Sequence, residues 1–318
     1  MKFTITLSQQ GQTVRAFIQQ NLHVSSKMLK YLKYRPDGIC VNGRQVTVRY
    51  LLQEGDVLSL ATEDTEENHK LEAVALPLDI LYEDDDVVVP SKPANMPTHP
   101  SCDHHNDTVA NALAYRYAAS GKAFVFRPVQ RLDRNTSGLL LIARNKIAAG
   151  RLSICMKSHE IQKSYLALLD GVLREDQGEI NVPLHRTEKS VILREVCPPD
   201  APDADSALTR FRVLARGEAH TLVEASPITG RTHQLRVHFA YLGHPTTGDD
   251  LYGTPSPLIS RHALHARTLS FPHPTTEEQL QLCAPLPDDM KQALEQAFPN
   301  GAWLEALQNP LKGDSYES

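Results

Sequence analysis

No two cysteines in this 318-residue chain stand in a C-x-x-C arrangement; the five present, Cys40, Cys102, Cys155, Cys197 and Cys283, are odd in number and scattered. Neither a disulfide framework nor a zinc ribbon is signalled, and ordinary reduced thiols are expected. Long apolar runs are missing as well. A run such as Leu139 to Ala143 falls far short of the ~20 residues that span a bilayer, and the opening "MKFTITLSQQ" has no signal-peptide apolar core, so a cytoplasmic location is expected. There is no P-loop and no G-x-G-x-x-G, which argues against kinase, GTPase and dehydrogenase readings. His99, His104, His105, His233, His238, His262 and His265 invite a metal. Yet His233 and His238 are poorly placed for one helix face, and no H-E-x-x-H, or H-x-E with P-C-x-x-C, occurs, so no metal is expected.

What is present suits a globular protein of roughly two domains, 41% hydrophobic and 22% charged. The net charge of −5 conceals an asymmetry. Residues 1–60 carry eight Lys/Arg against three Asp/Glu, whereas residues 61–90 carry one Lys and ten acids. The acidic stretch includes "TEDTEENHK", the composition of an exposed linker. The expected organisation is a small first unit over 1–62, a linker over 63–75, a larger domain over 76–300 and a C-terminal tail over 301–318.

Before the linker, "TVRAFIQQNL" and "SSKMLKYL" space apolar residues for two short amphipathic helices. In "GICVNGRQVTV" the Asn42-Gly43 pair signals a two-residue hairpin, and "LLQEGDVLSLA" a turn followed by a strand. Lys27, Lys30, Lys33, Arg35, Arg44 and Arg49 cluster on this scaffold, a basic footprint suited to RNA. The order of basic helices, V-N-G hairpin and G-D strand resembles the S4-like RNA-binding domain. That resemblance implies that residues 11–61 hold structured RNA by backbone and shape contacts.

After the linker, strand-like segments recur at "LDILYEDDDVVV", "IQKSYLALLDG", "SALTRFRVLARG" and "HTLVEASP", with helices expected over 107–119 and, capped by Asn145, through Met156. The expected fold class is α+β, with a mixed, largely antiparallel sheet. "LPDDMKQALEQAF" reads as an amphipathic helix.

The octet "RLDRNTSG" sets Asp133 between Arg131 and Arg134, ahead of the apolar run "LLLIA". Alone, it reads as a structural ion-pair cluster. Its companions, in order, are "KPANMPTHP", "KSYLALLDG", "ITGRTHQLRVH", "LGHPTTGDDLYG" and "RHALHARTLSFPHP". Together these motifs resemble the RluA family of RNA pseudouridine synthases over about residues 80–275. The resemblance implies the pseudouridine synthase fold, and isomerisation of uridine to pseudouridine in structured ribosomal or transfer RNA by a monomer without a cofactor. Such a reaction breaks the N1–C1′ bond, turns the uracil and rejoins it through C5, with no change in composition.

By resemblance, Asp133 attacks C1′ or removes the C2′ proton, two routes a sequence leaves open. Its cationic partner is Arg236, with Arg231 the second candidate; Tyr165 stacks on the base and takes the C5 proton. Arg131 fills the space of the flipped uridine. Arg131, Arg134, Arg231, His233, Lys163, Lys27, Lys30, Lys33 and Arg44 make up the expected RNA contacts. Gln130, Ser91 and Asn95 depart from the family's usual histidine, asparagine and glycine, and Asn95 suggests a turn that accepts a left-handed residue. Two other classes remain: an RNA-binding factor without catalysis, and an N-glycosidase that releases uracil.

Overall fold

The computed structural model describes every residue except 23, 62–70, 102, 122–123, 189, 191 and 309–318. Most of the acidic linker, Cys102 and the end of the tail therefore lie outside the described residues. Residues 72–74 run along the catalytic unit, where Asn111 donates to the Glu72 carbonyl.

The N-terminal sheet contains β1 (Lys2–Thr4), β2 (Ile39–Val41), β3 (Arg44–Gln45) and β4 (Val57–Leu60), ordered β1-β4-β2-β3 and antiparallel throughout. Asn42 and Gly43 both have positive φ, 51° and 78°, which is the backbone a two-residue I′ hairpin demands. The first expected helix is shorter than its apolar spacing suggested. Thr13 caps α1 (Val14–Ala16), and the chain then widens into a π-turn over Phe17–Asn21. That turn still buries Phe17 and Ile18. Ser25 caps α2 (Ser26–Tyr34), which buries Leu29 and Leu32 and leaves Lys27, Lys30 and Lys33 exposed.

The remaining elements form an 11-stranded sheet and its covering helices. In chain order they are β5 (Asp79–Glu83), β6 (Val87–Lys92), α3 (Val109–Ala119), β7 (Arg127–Pro128), β8 (Ser137–Leu139), β9 (Ile142–Ala143), α4 (Lys146–Lys157) and β10 (Gln162–Asp170). There follow β11 (Gln177–Asn181), β12 (Leu184–Arg186), β13 (Arg194–Val196), β14 (Leu208–Arg216), β15 (His220–Pro227), α5 (Gln234–Tyr241), β16 (Leu264–Pro272), β17 (Gln279–Cys283), α6 (Asp288–Ala297) and α7 (Ala302–Gln308). Strands run β11-β14-β15-β10-β16-β8-β6-β9-β7, with β17 on β16 and β5 on β6; β12 and β13 pair separately as a hairpin. The β8–β16 pairing is parallel and the other described pairings are antiparallel. The fold is thus α+β with an antiparallel-rich mixed sheet.

Both faces of this sheet are covered, which explains its continuous apolar runs. On β10, Tyr165, Ala167 and Leu169 join the core that contains Leu235 and Phe239 of α5, while Leu166 and Leu168 join the one built on α6. The expected single strand Leu139–Ala143 is split instead into β8 and β9. Its neighbour β6 carries Pro90, which has no N–H to donate and accepts from Leu140 N, so the ladder breaks there. Residues 302–308, assigned above to the tail, are helical, and Trp303 is buried against α6; a segment of seven residues, under two turns, is too short for its periodicity to show this.

Gly138 has φ +108°, and a Cβ there would meet the Ala266 carbonyl oxygen at 2.2 Å. Gly138→Ala is expected to cost on the order of 3 kcal/mol, through a strained φ and a forced separation of β8 from β16. Urea unfolding at neutral pH checks this, and an unchanged midpoint would contradict it.

Candidate active site

Asp133 sits in the loop between β7 and β8, which is pinned from several sides. Thr98 Oγ1 donates to the Leu132 carbonyl and accepts from its N–H. Lys92, 1% exposed, donates from Nζ to the carbonyls of Pro93, Met96 and Arg134. Burial pulls the Lys92 ammonium down to about 7, against the pull of the Asp133 charge and with Arg261 adding to the fall. Arg134 donates to Asn95 Oδ1 at 2.9 and 2.6 Å, and Asn95 has φ 60°, the left-handed turn expected of it. Arg261 donates to the Asn135 carbonyl, and Thr136 hydrogen-bonds His262 Nε2 at 2.9 Å. The loop is therefore placed by its neighbours rather than by its own propensity.

A cavity of about 640 Å³ opens over Asp133. Arg131, Lys163, Tyr165, Arg231, His233 and Arg236 line it with the aspartate. Tyr165 reaches it from β10 at a register shift between Ser164 and Tyr165, the kind of bulge that re-aims a side chain. Burial, and then the Asp133 charge, push its phenol far above the usual range, so Tyr165 is neutral.

Arg236, on α5, is buried to 3% exposure. Its Nη1 lies 3.8 Å from Asp133 Oδ2. Its close partner is Asp249, which it meets in two parallel bonds of 2.7 and 2.6 Å, with Asp250 a further 3.2 Å contact. Burial opposes the charge on Arg236, but these bonds outweigh it and raise its pKa. Burial likewise opposes ionisation of Asp249, yet the Arg236 bonds hold its pKa at about 2. The simple Asp133–Arg236 pair expected from the motif is thus a cluster of three carboxylates around one guanidinium.

Arg231 turns away to Asp205, at 3.1 Å, and the Ser206 carbonyl. His233, in a left-handed conformation just before α5, puts Nε2 3.9 Å from Asp133 Oδ1 while Nδ1 meets the Tyr252 hydroxyl at 2.8 Å. Burial lowers its pKa most, against the Asp133 charge, and keeps it neutral. Lys163 is half-buried in the cavity wall, its pKa lowered by that burial. Lys27, Lys30, Lys33 and Arg44 are exposed on the N-terminal unit and do not line the cavity.

The two units touch through α4. Ile147, at its start, packs into the N-terminal core with Leu22 and Leu29, and Lys146 Nζ lies 4.8 Å above the Tyr31 ring. Met156 and Lys157, at its other end, line the cavity. Lys92, Asp249 and Tyr252 were missed as site residues. The motif "GDDLYG" was visible, but nothing in one sequence says that an aspartate in a Gly-rich turn points inward. Among the described residues no group of three His, Cys, Asp or Glu is arranged to hold a metal, and no helix is long and apolar enough to cross a membrane.

A family model described as RNA pseudouridylate synthase matches residues 86–241. An uncharacterized RNA pseudouridine synthase, YjbO, of Bacillus subtilis (strain 168) is 38% identical over 274 residues, covering 86% of this chain and 95% of its own. The ribosomal large subunit pseudouridine synthase C of Vibrio cholerae is 35% identical over 300 residues, 89% of this chain and 92% of that protein. Among solved structures, human RNA pseudouridylate synthase domain containing 1 is similar with a TM-score of 0.56 and 34% identity, over 68% of this chain and 86% of that one.

Proposed function

Because the chain belongs to the RluA-type family of RNA pseudouridine synthases, and so isomerises uridine to pseudouridine in RNA, we propose that Asp133 is the group that opens the glycosidic bond. The observation that carries this reading is the placement of one carboxylate at the floor of the cavity, within 4 Å of a buried arginine and a neutral histidine yet hydrogen-bonded to neither. Its lone pairs are left for the ribose.

In this reading the target uridine leaves its stack, at a cost of a few kcal/mol, and Arg131 fills the vacancy. The Asp133 carboxylate then forms a bond to C1′ or takes the C2′ proton. In either route the N1–C1′ bond breaks and its electron pair leaves with the uracil. The base turns and C5 bonds to C1′ as the bond from Asp133 breaks or, by the other route, as Asp133 returns the proton to C2′; C5 then gives up its proton and N1 takes one up, so composition is unchanged. Tyr165 stacks on the uracil. Its phenol, held protonated by burial and by the Asp133 charge, can accept the C5 proton only by giving up its own hydroxyl hydrogen. Arg236 and Arg134 act as structural and electrostatic supports, and Lys163, His233 and Arg231 contact the RNA from the cavity wall.

We assign residues 1–62 to an S4-like RNA-binding domain, supported by the exposed Lys27, Lys30, Lys33 and Arg44 on a small antiparallel sheet with two helical segments. The catalytic domain begins near residue 76. Large-subunit ribosomal RNA is the substrate we propose, by likeness to the ribosomal large subunit pseudouridine synthase C of Vibrio cholerae. The test is a transcriptome-wide pseudouridine map of cells with the protein, without it, and with Asp133→Ala. Sites lost in both deficient strains are the expected result and name the uridine; an unchanged map in cells that express the protein would overturn the assignment.

A further inference from the structure

We propose that the turn 246–252, through Asp249 and Tyr252, is a positioning device for the isomerisation, setting Arg236 before one oxygen of Asp133 and His233 before the other while holding both just out of bonding range. The inference rests on the reading of Asp133 given above and adds residues to it.

The Asp249 carboxylate organises this turn. Besides Arg236, it accepts from Thr246 Oγ1 at 2.8 Å and from the backbone N–H of Leu251 and Tyr252 at 3.0 Å each. It is fully buried, and every one of these donors lies in the same turn except Arg236. The Nε/Nη2 edge of the guanidinium is thereby fixed on Asp249, and Nη1 faces Asp133 Oδ2 at 3.8 Å. The Tyr252 ring packs on the same guanidinium, 5.2 Å from its centre.

Tyr252 also decides which nitrogen of His233 carries the hydrogen. The backbone N–H of Arg194, in the β12–β13 hairpin, donates to the Tyr252 hydroxyl oxygen at 2.9 Å. A backbone amide can only donate, so the hydroxyl hydrogen is directed to Nδ1 of His233. In a neutral ring that leaves the hydrogen on Nε2, the atom that faces Asp133 Oδ1 at 3.9 Å. One turn thus presents a cation to one carboxylate oxygen and a neutral N–H donor to the other.

The arrangement solves a specific electrostatic difficulty. Asp133 loses its charge when it bonds to C1′ or takes a proton, and a buried arginine paired only with Asp133 would then be stranded, a costly state. Asp249 keeps Arg236 paired through the whole cycle. It also stops Arg236 from closing onto Asp133 and occupying the lone pairs needed for the ribose. The other titratable groups facing Arg236 are the exposed Asp250 and the neutral His233 and His262.

The test is a pair of double-mutant cycles, read as single-turnover pseudouridine formation on large-subunit ribosomal RNA from cells lacking the protein, with RNA affinity measured alongside. Asp249→Asn is expected to slow the reaction about 100-fold with Kd unchanged within about threefold, and Asp249→Glu to recover most of the loss. In an Arg236→Gln background the same substitution should add almost nothing. Tyr252→Phe, which keeps the ring, should slow the reaction about tenfold and add nothing in a His233→Gln background. Additive effects in both cycles, a loss confined to Kd, or wild-type rates overturn the inference. Should Asp249→Asn not fold, the Tyr252→Phe cycle decides alone. An inactive Asp133→Asn beside additive cycles overturns this inference and leaves the reading of Asp133 intact, whereas an active Asp133→Asn removes both.

Discussion

Asp133→Asn is expected to lower the single-turnover rate of pseudouridine formation by about 10⁴-fold or more, the scale of losing a nucleophile or essential base. The amide fills the same volume, so the cavity shape survives. It removes the negative charge that faces Arg236 Nη1 and His233 Nε2, but Arg236 keeps its two bonds to Asp249. No buried cation is left unpaired, and stability should change by less than about 1 kcal/mol. RNA affinity should stay within about threefold, because the basic side chains that neutralise phosphates are untouched. Rate and binding measured on one preparation separate the two effects. A variant that binds RNA and still isomerises at a tenth of the normal rate would rule out Asp133 as the reacting group. Release of free uracil by the wild type would point instead to N-glycosidase chemistry.

The second large effect concerns acid. His265, 1% exposed, hydrogen-bonds Ser137 of β8, and its pKa is pushed down to about 3, by burial first and then by Arg267 and Arg261. His262, equally buried, holds Thr136 two residues beyond the Arg134 carbonyl that Lys92 clamps, and its pKa is also well below the ordinary value, through burial and then Arg236. An unfolded chain takes protons on both rings near pH 6.5, whereas the folded chain does not. Stability from these groups is therefore complete above about pH 6.5 and is lost as pH falls toward the folded values. For His265 alone the loss amounts to about 4 to 5 kcal/mol by pH 3. Below about pH 4, protonation of Asp249 should add to it. Urea unfolding from pH 7 to 4 should show a steep decline, flattened in His265→Gln by about 1.4 kcal/mol per pH unit. A flat wild-type profile between pH 6.5 and 4.5 would contradict it.

The fold was legible wherever local chemistry decided it. Asn42-Gly43 imposed a hairpin, Asn145 capped α4 by accepting from Ile147 and Ala148 N–H, and the alternating cores of β10 follow from a strand buried on both faces. Legibility failed where a distant partner decided. The break between β8 and β9 comes from Pro90 on another strand, and the short first helix from a π-turn that apolar spacing cannot distinguish from an ordinary one. For the site, the motifs around Asp133, Tyr165 and Arg236 were plain. That Arg236 is held mainly by Asp249 was not, because thirteen residues and a turn separate them and only packing brings them together. Nothing in the sequence marks Lys92 as buried, because its three carbonyl acceptors come from two different loops.

Helix α4 spans twelve residues, about 18 Å at 1.5 Å per residue, with Ile147 seated in the N-terminal core and Met156 and Lys157 at the cavity wall. It therefore works as a ruler. In the function proposed above, an RNA gripped by Lys27, Lys30 and Lys33 meets Asp133 at an offset set by the length of that helix, and the reacting nucleotide is chosen partly by distance from a remote grip.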